Sequence, residues 1–224
     1  MYDAQPPLLP TVIERFCRGR GAEIGPGKHP RCDPQTTIMI DRFTDNADAS
    51  LRPDIVADAA HIPLCDGALD FLLSSHMLEH HQDTLRTLYE WKRVLRPNGG
   101  ALILILPHYQ RTFDRFRPVT SLRHHIEDYE RRVAEDDPFH FEEIREGWSK
   151  IDGFEELRHE FEAQWKMDMW DWTGRLREGV IHFHVWSQNE MVDLLQYAGF
   201  SITYVADEIP EISNSFLVVG KNVG

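Results

Sequence analysis

The chain is short of positive charge. It has 24 lysines and arginines against 37 aspartates and glutamates, a net charge of −13. That balance argues against a nucleic-acid partner, because phosphate binding needs clustered cations. It disfavours an anionic membrane surface equally. No run approaches the ~18–20 apolar residues of a membrane-spanning helix. Cysteine is scarce and odd in number, at Cys17, Cys32 and Cys65. None stands in a C-x-x-C pair, so neither a disulfide framework nor a cysteine zinc site is expected. Met1 to Pro10 shows no basic region followed by an apolar core, so no secretory signal is read there. A reducing, cytoplasmic setting is the expectation. The phosphate-binding P-loop is also missing, since neither Ser nor Thr follows Lys28.

What is present is an ordinary globular composition, 42% hydrophobic and 27% charged, over 224 residues. That length suits one domain, or one domain carrying a large insertion. Leu8, Leu9, Val12, Ile13 and Phe16 fall on one helical face. Strands are predicted at Gly21–Ile24, at Thr36–Ile40 ending on Asp41, at Asp54–Asp58 and at Leu69–Ser75. A helix through Leu85, Leu88, Trp91 and Leu95 follows, and Pro97 stops it. Ala101–Leu106 is unbroken apolar, as suits a strand buried on both faces.

This alternation predicts an α/β fold, doubly wound and Rossmann-like, with a mostly parallel seven-stranded sheet. Residues 1–107 form its first half. From Pro107 to about Val180 the pattern breaks into charged and aromatic sequence, far longer than the usual ~2–6-residue connection. Residues 108–181 are therefore read as a helical insertion over the sheet edge. Leu122, Ile126, Tyr129 and Val133 can line one of its helices, and Phe154, Leu157, Phe161 and Trp165 another. Residues 182–224 complete the sheet. There Ser187 and Glu190 have capping-box spacing, Gly199 suits a helix C-terminus, and Phe200–Val205 with Phe216–Val219 form an antiparallel hairpin.

The most informative stretch is Glu23-Ile24-Gly25-Pro26-Gly27. A strand that ends in a glycine turn lets backbone approach a ligand closely, because glycine has no Cβ. Asp41 stands about 15–20 residues further on, the ribose spacing of nucleotide folds. Pro30 occupies the place of a third glycine. An ordinary Gly-Pro-Gly turn would give the same short fragment, and the later motifs decide between the two.

Those motifs are Asp58-Ala59, Ile62-Pro63-Leu64-Cys65-Asp66-Gly67-Ala68-Leu69-Asp70-Phe71, Ser74-Ser75-His76-Met77-Leu78-Glu79-His80 and Arg93-Val94-Leu95-Arg96-Pro97-Asn98-Gly99-Gly100. Together with the glycine turn and Asp41, they resemble the class I S-adenosylmethionine-dependent methyltransferases over residues 20–107 and 182–221. The resemblance implies S-adenosylmethionine as cofactor. It implies that Gly25 and Gly27 pack against the methionine part and that Glu23 orients its amine. Asp41 would take the ribose hydroxyls. Asp58 would accept from the adenine amino group, with the Ala59 N–H on the ring. Ser75 and His76 would line the methionine side. The insertion, with His182-Phe183-His184-Val185-Trp186, is similar to a subgroup associated with sugar or natural-product pathways. That implies a small-molecule acceptor.

Methyl transfer needs positioning more than chemistry, and aligned reactants gain ~7–11 kcal/mol. An oxygen or amine acceptor still needs a base. His108, directly after the fifth strand, is the first candidate, and His182 and His184 are the next. In an extended segment His182 and His184 share a face. With His108, His124 or His140, and with Asp114 or Glu143, they can be drawn as a metal site. Their spacing matches no recognised ligand motif, so no metal is assigned and hydrogen-bonded histidines are preferred. His80 and His81 are read as helix-start packing. Two competing functions remain: a metal-assisted or non-methylating reaction on the same fold, and a non-catalytic scaffold.

Overall fold

The computed structural model describes residues 6–44 and 52–224, without the side chains of residues 164 and 165. In chain order its strands are β1 (Gly21–Ile24), β2 (Ile38–Asp41), β3 (Ile55–Val56), β4 (Phe71–Ser75), β5 (Ala101–Pro107), β6 (Phe200–Ala206) and β7 (Ser215–Asn222). They form one sheet in the order β3-β2-β1-β4-β5-β7-β6. The first five strands are parallel, and β7 runs antiparallel to both of its neighbours. Every residue of β5 is buried, as expected of a central strand covered on both faces. The register sets Ile24 beside Ile40 and Ser74 beside Leu104. The carboxyl ends of β1, β2, β4 and β5 therefore share one edge.

Helix α1 (Leu9–Phe16) buries Leu9 and Val12 in the cluster formed by Phe71, Leu73, Ile103 and Ile105. Leu8 falls outside this face, at the helix cap, and is exposed. The other face carries α2 (Thr84–Val94) and α7 (Gln188–Tyr197), whose Leu88, Trp91, Leu194 and Leu195 join Ile24, Leu72 and Leu104. Asp83 caps α2 by accepting from the Arg86 N–H at 3.0 Å. Ser187 and Glu190 form the expected capping box on α7.

Two strands differ from the sequence reading. Strand β2 starts at Ile38, since the N–H groups of Thr36 and Thr37 both turn back to the Asp33 carbonyl. Strand β3 keeps only two residues. Asp54 spends its carboxylate on the Met39 N–H at 2.8 Å, and Asp58 turns back onto the Ala60 N–H at 2.8 Å.

Between β5 and α7 lie α3 (Leu122–Arg131), α4 (Pro138–Ser149), α5 (Phe154–Trp165) and α6 (Trp172–Glu178). Val133 stands beyond α3, because Arg132 takes φ 54° and reverses the chain there. Trp165 belongs to α5, but its side chain lies outside the described residues. Ile144, Trp148, Phe161 and Met169 make a separate core with Ile181 and Phe183. Arg175 is fully buried within it. Its guanidinium donates to the Met169 carbonyl at 3.0 Å and lies 4.8 Å from the Phe161 ring centre. Desolvation holds its pKa down to about 10. Met167, Trp170 and Trp172 pack against this small core. Among the described residues no helix is long and apolar enough to cross a membrane.

Candidate active site

The carboxyl edge of the sheet opens into a cavity of about 250 Å³. Its floor begins at the glycine turn. Gly25 has φ +66° and donates its N–H to the Ile40 carbonyl at 2.8 Å. A Cβ on Gly25 would stand 2.4 Å from Met77 Cγ. Gly27 has φ +53°, and a Cβ there would meet nothing within 4 Å. The turn is thus tight on the protein side and open on the cavity side. Gly25→Ala is expected to cost about 1–3 kcal/mol, because an L side chain is strained at this φ. Thermal denaturation checks it, and adding Met77→Ala should restore only the part due to the clash.

Asp41 receives the Gly27 N–H on Oδ2 at 3.3 Å and the Phe43 N–H on Oδ1 at 3.0 Å. It therefore fastens the loops after β1 and β2 to each other. Asp58 accepts at Oδ1 from the Ala60 N–H and lies 3.3 Å from His81 Nε2. The His81 contact lowers its pKa to about 2, against the effect of burial, so it stays anionic. The Trp91 indole donates to the Ala59 carbonyl at 3.0 Å, which fixes the backbone after β3.

Helix α6 and the segment after it supply the opposite wall through Arg175, Leu176, Gly179, Ile181 and Phe183. Glu135 crosses to the sheet side and pairs with Arg42, with one contact at 3.2 Å.

Of the expected cofactor residues, Gly25, Gly27, Asp41, Asp58, Ala59 and His76 line this cavity, while Glu23 and Ser75 do not. Glu23 is buried, and its carboxylate accepts the N–H groups of Arg31 and Cys32 at 2.8–2.9 Å. It anchors the loop after the glycine turn. Ser75 Oγ is met by Arg31 Nε at 3.3 Å, so a guanidinium stands between the ends of β1 and β4.

The three base candidates also lie outside the lining. His108 packs against Tyr109 and Phe216, 3.8 Å from Asp207, because β5 ends beside β7. His182 and His184 do not act as one pair. The segment between α6 and α7 is irregular, and each ring joins a different group. His182 Nδ1 is 2.6 Å from Asp114 Oδ2, and Arg117 holds Asp114 Oδ1 at 2.9 Å. Burial raises and His182 lowers the Asp114 pKa, which ends below the usual range. His184 lies 3.1 Å from both Thr84 Oγ1 and Asp128 Oδ2.

Several cavity-side groups were not singled out by sequence. His80 and His81, read as packing, line the cavity. His80 Nδ1 donates to the Ile181 carbonyl at 2.8 Å, and its ring lies 4.8 Å from that of His182. Desolvation lowers His76 to about 4 and His80 to about 3, so both rings are neutral. Glu79 is fully buried among them, 3.6 Å from His76 Nδ1 and 3.9 Å from His80 Nε2. Desolvation pushes it up to about 7. A signal existed for this group: His76, Glu79 and His80 have i, i+3 and i+4 spacing directly after a buried strand.

Comparison with known proteins agrees with this geometry. Residues 34–103 match a family model described as a methyltransferase domain. A 56-residue stretch is 45% identical to ajmaline N-methyltransferase of Rauvolfia serpentina, spanning 25% of this chain and 19% of that protein. The fold resembles a SAM-dependent methyltransferase, possible histamine N-methyltransferase, of Thermotoga maritima, with a TM-score of 0.55 and 17% identity over 96% of this chain and 87% of that one. It also resembles an S-adenosylmethionine-dependent methyltransferase of Mesorhizobium loti, with a TM-score of 0.53 and 18% identity over 95% and 97%.

Sheet order and the match over residues 34–103 place a methyltransferase domain in the first half of the chain, on a fold like that of solved S-adenosylmethionine-dependent methyltransferases.

Proposed function

We propose that this protein transfers a methyl group from S-adenosylmethionine to a small-molecule acceptor, a sugar or natural-product intermediate. One observation carries the reading: a single cavity joins the glycine turn, Asp41 and Asp58 on one side to the helical insertion on the other. Two carboxylates on neighbouring strand ends, with backbone open at Gly27, fit a nucleoside that presents ribose hydroxyls, an exocyclic amine and a cationic sulfur. Asp41 would hold the ribose hydroxyls, and Asp58 the adenine amino group beside Ala59. Gly25 and His76 would face the methionine part. The bound cofactor supplies an electrophilic methyl group.

The chain supplies position and a route for a proton. The Ile181–Phe183 segment closes the cavity over the acceptor and limits water. The proton leaves the acceptor toward His76 and His80, where Glu79 lies within 4 Å of both rings. A carboxylate with a pKa near 7 is suited to general-base work at neutral pH. His182, held by Asp114 and meeting the His80 ring edge-on, is a positioning residue. His108 and His184 have other partners.

Calorimetry with S-adenosylmethionine and S-adenosylhomocysteine is the first test, followed by an acceptor panel read by S-adenosylhomocysteine release. One binding site per chain and turnover on a sugar or natural-product acceptor are expected. No binding of either nucleoside at millimolar concentration would defeat the proposal. In the same assay His182→Ala should lower kcat roughly 10–100-fold with little change in cofactor affinity.

A further inference from the structure

We propose that His124, Asp128, His140 and His184 form a binding site for one divalent transition-metal ion of the zinc type, separate from the cofactor cavity. His124 and Asp128 stand one turn apart on α3, His140 comes from α4, and His184 from the segment before α7. Their ligand atoms all lie within 4.8 Å of one another. The closest separations are close to equal. Asp128 Oδ2 lies 3.1 Å from His124 Nε2, 3.4 Å from His140 Nε2 and 3.1 Å from His184 Nε2. His124 Nε2 and His140 Nε2 are 3.3 Å apart.

Zinc bonds nitrogen and oxygen at ~2.0–2.2 Å, which makes the edge of its coordination tetrahedron about 3.3–3.5 Å. The four distances, 3.1–3.4 Å, lie at or just below that edge. Hydrogen bonding alone accounts for the arrangement poorly. Three imidazole nitrogens converge on one carboxylate oxygen, and two of them also face each other. An ion at the centre uses all three lone pairs and the carboxylate charge at once.

The surroundings suit a metal site. Asp128, His140 and His184 are buried, and His124 is the more accessible member. The outward nitrogens of two rings have partners that would orient them as ligands. Thr84 Oγ1 lies 3.1 Å from His184 Nδ1 and can receive its proton, and the Glu143 carboxylate lies 3.6 Å from His124 Nδ1. The fourth nearby ring, His125, is excluded because its Nε2 accepts the Trp186 indole N–H at 2.9 Å. Imidazole suits zinc, copper, iron and nickel. Four protein ligands with no open position are the pattern of a structural zinc site. Such an ion would join α3, α4 and the segment before α7, one residue from the Phe183 wall of the cavity.

The test uses the whole chain without a histidine tag. Elemental analysis after growth in zinc-supplemented medium should find one zinc per chain. Exchange for cobalt(II) should give the intense visible absorption of tetrahedral coordination. Stripping the ion with a chelator should lower the melting temperature by roughly 10 °C, since the ion stabilises only the folded chain. Asp128→Asn and His124→Gln, checked for native circular dichroism, should each lose the metal. Wild-type protein that keeps no stoichiometric metal after zinc addition and desalting would overturn the site. So would a six-coordinate cobalt spectrum, or folded variants that retain the ion. None of these readouts depends on methyl transfer.

Discussion

Asp41→Ala is expected to weaken S-adenosylhomocysteine binding about 100-fold, equivalent to ~2.7 kcal/mol. The carboxylate sits at the end of β2 and is buried on the sheet side. It already bonds the Gly27 and Phe43 N–H groups, so its orientation is fixed before any ligand arrives. Each hydrogen bond to a charged group contributes about 1.5–3 kcal/mol, and a ribose offers two hydroxyls. Losing the side chain also frees the Gly27 loop, which adds an ordering cost to binding. Asp41→Asn should fall between wild type and alanine, because the amide keeps one acceptor oxygen. Asp66→Ala is the control, since Asp66 is exposed and pairs with Arg93 away from the cavity. Calorimetry reads all three variants. An Asp41→Ala protein that binds S-adenosylhomocysteine as tightly as wild type would remove Asp41 from the ribose role.

The second large effect is a change of opposite sign in two properties of one variant. Glu79→Gln is expected to raise stability at pH 8 and to lower turnover. Both Glu79 oxygens are buried with no hydrogen-bond partner among the described residues. The groups facing it are His76, His80, His182 and Asp114, and burial dominates, setting its pKa near 7 against an ordinary 4.5. A group whose pKa rises on folding contributes stability below its unfolded pKa. That contribution is lost as pH climbs through the folded value. For Glu79 the window runs from about pH 4.5 to about pH 7, and above it the folded chain carries an unpaired buried charge. The shift corresponds to on the order of 3 kcal/mol.

Glutamine cannot ionise and avoids this cost. The variant should match wild type near pH 5 and melt several degrees higher at pH 8. Its turnover should fall on the order of 100-fold, because the proton acceptor is gone. Equal melting temperatures at pH 8 would show that folding does not raise the Glu79 pKa. Unchanged turnover would remove it from the proton route.

The sheet side of the cavity was legible in the sequence. Gly25 and Gly27 were marked by the close backbone approach that a strand-ending glycine turn allows. Asp41 was marked by its place at a strand end, and Asp58 and Ala59 by the family resemblance; parallel strands bring these residues to one edge, where they line the cavity. The seven-stranded sheet was legible as well, since apolar strands buried on both faces are written into runs such as Ala101–Leu106. The first misreadings are local competitions. Asp54 and Asp58 spend their carboxylates on backbone N–H groups and shorten β3. Glu23 stands at a strand end as read, and the backbone N–H groups of Arg31 and Cys32 that bond its carboxylate there were not marked by the sequence.

The histidines followed no local rule. Alternation suggested one shared face for His182 and His184, yet the irregular segment between α6 and α7 sends one to Asp114 and the other to Asp128. His124 and His140 are 16 residues apart, and Asp128 and His184 are 56 apart. The sequence by itself determined the sheet, the glycine turn and the strand-end acids, because continuous apolar runs and turn preferences act over a few neighbouring residues. Only the tertiary structure decided which histidines meet, which acid each one faces and which wall closes the cavity. Those contacts depend on how separately folded helices pack, and no spacing along the chain encodes that packing.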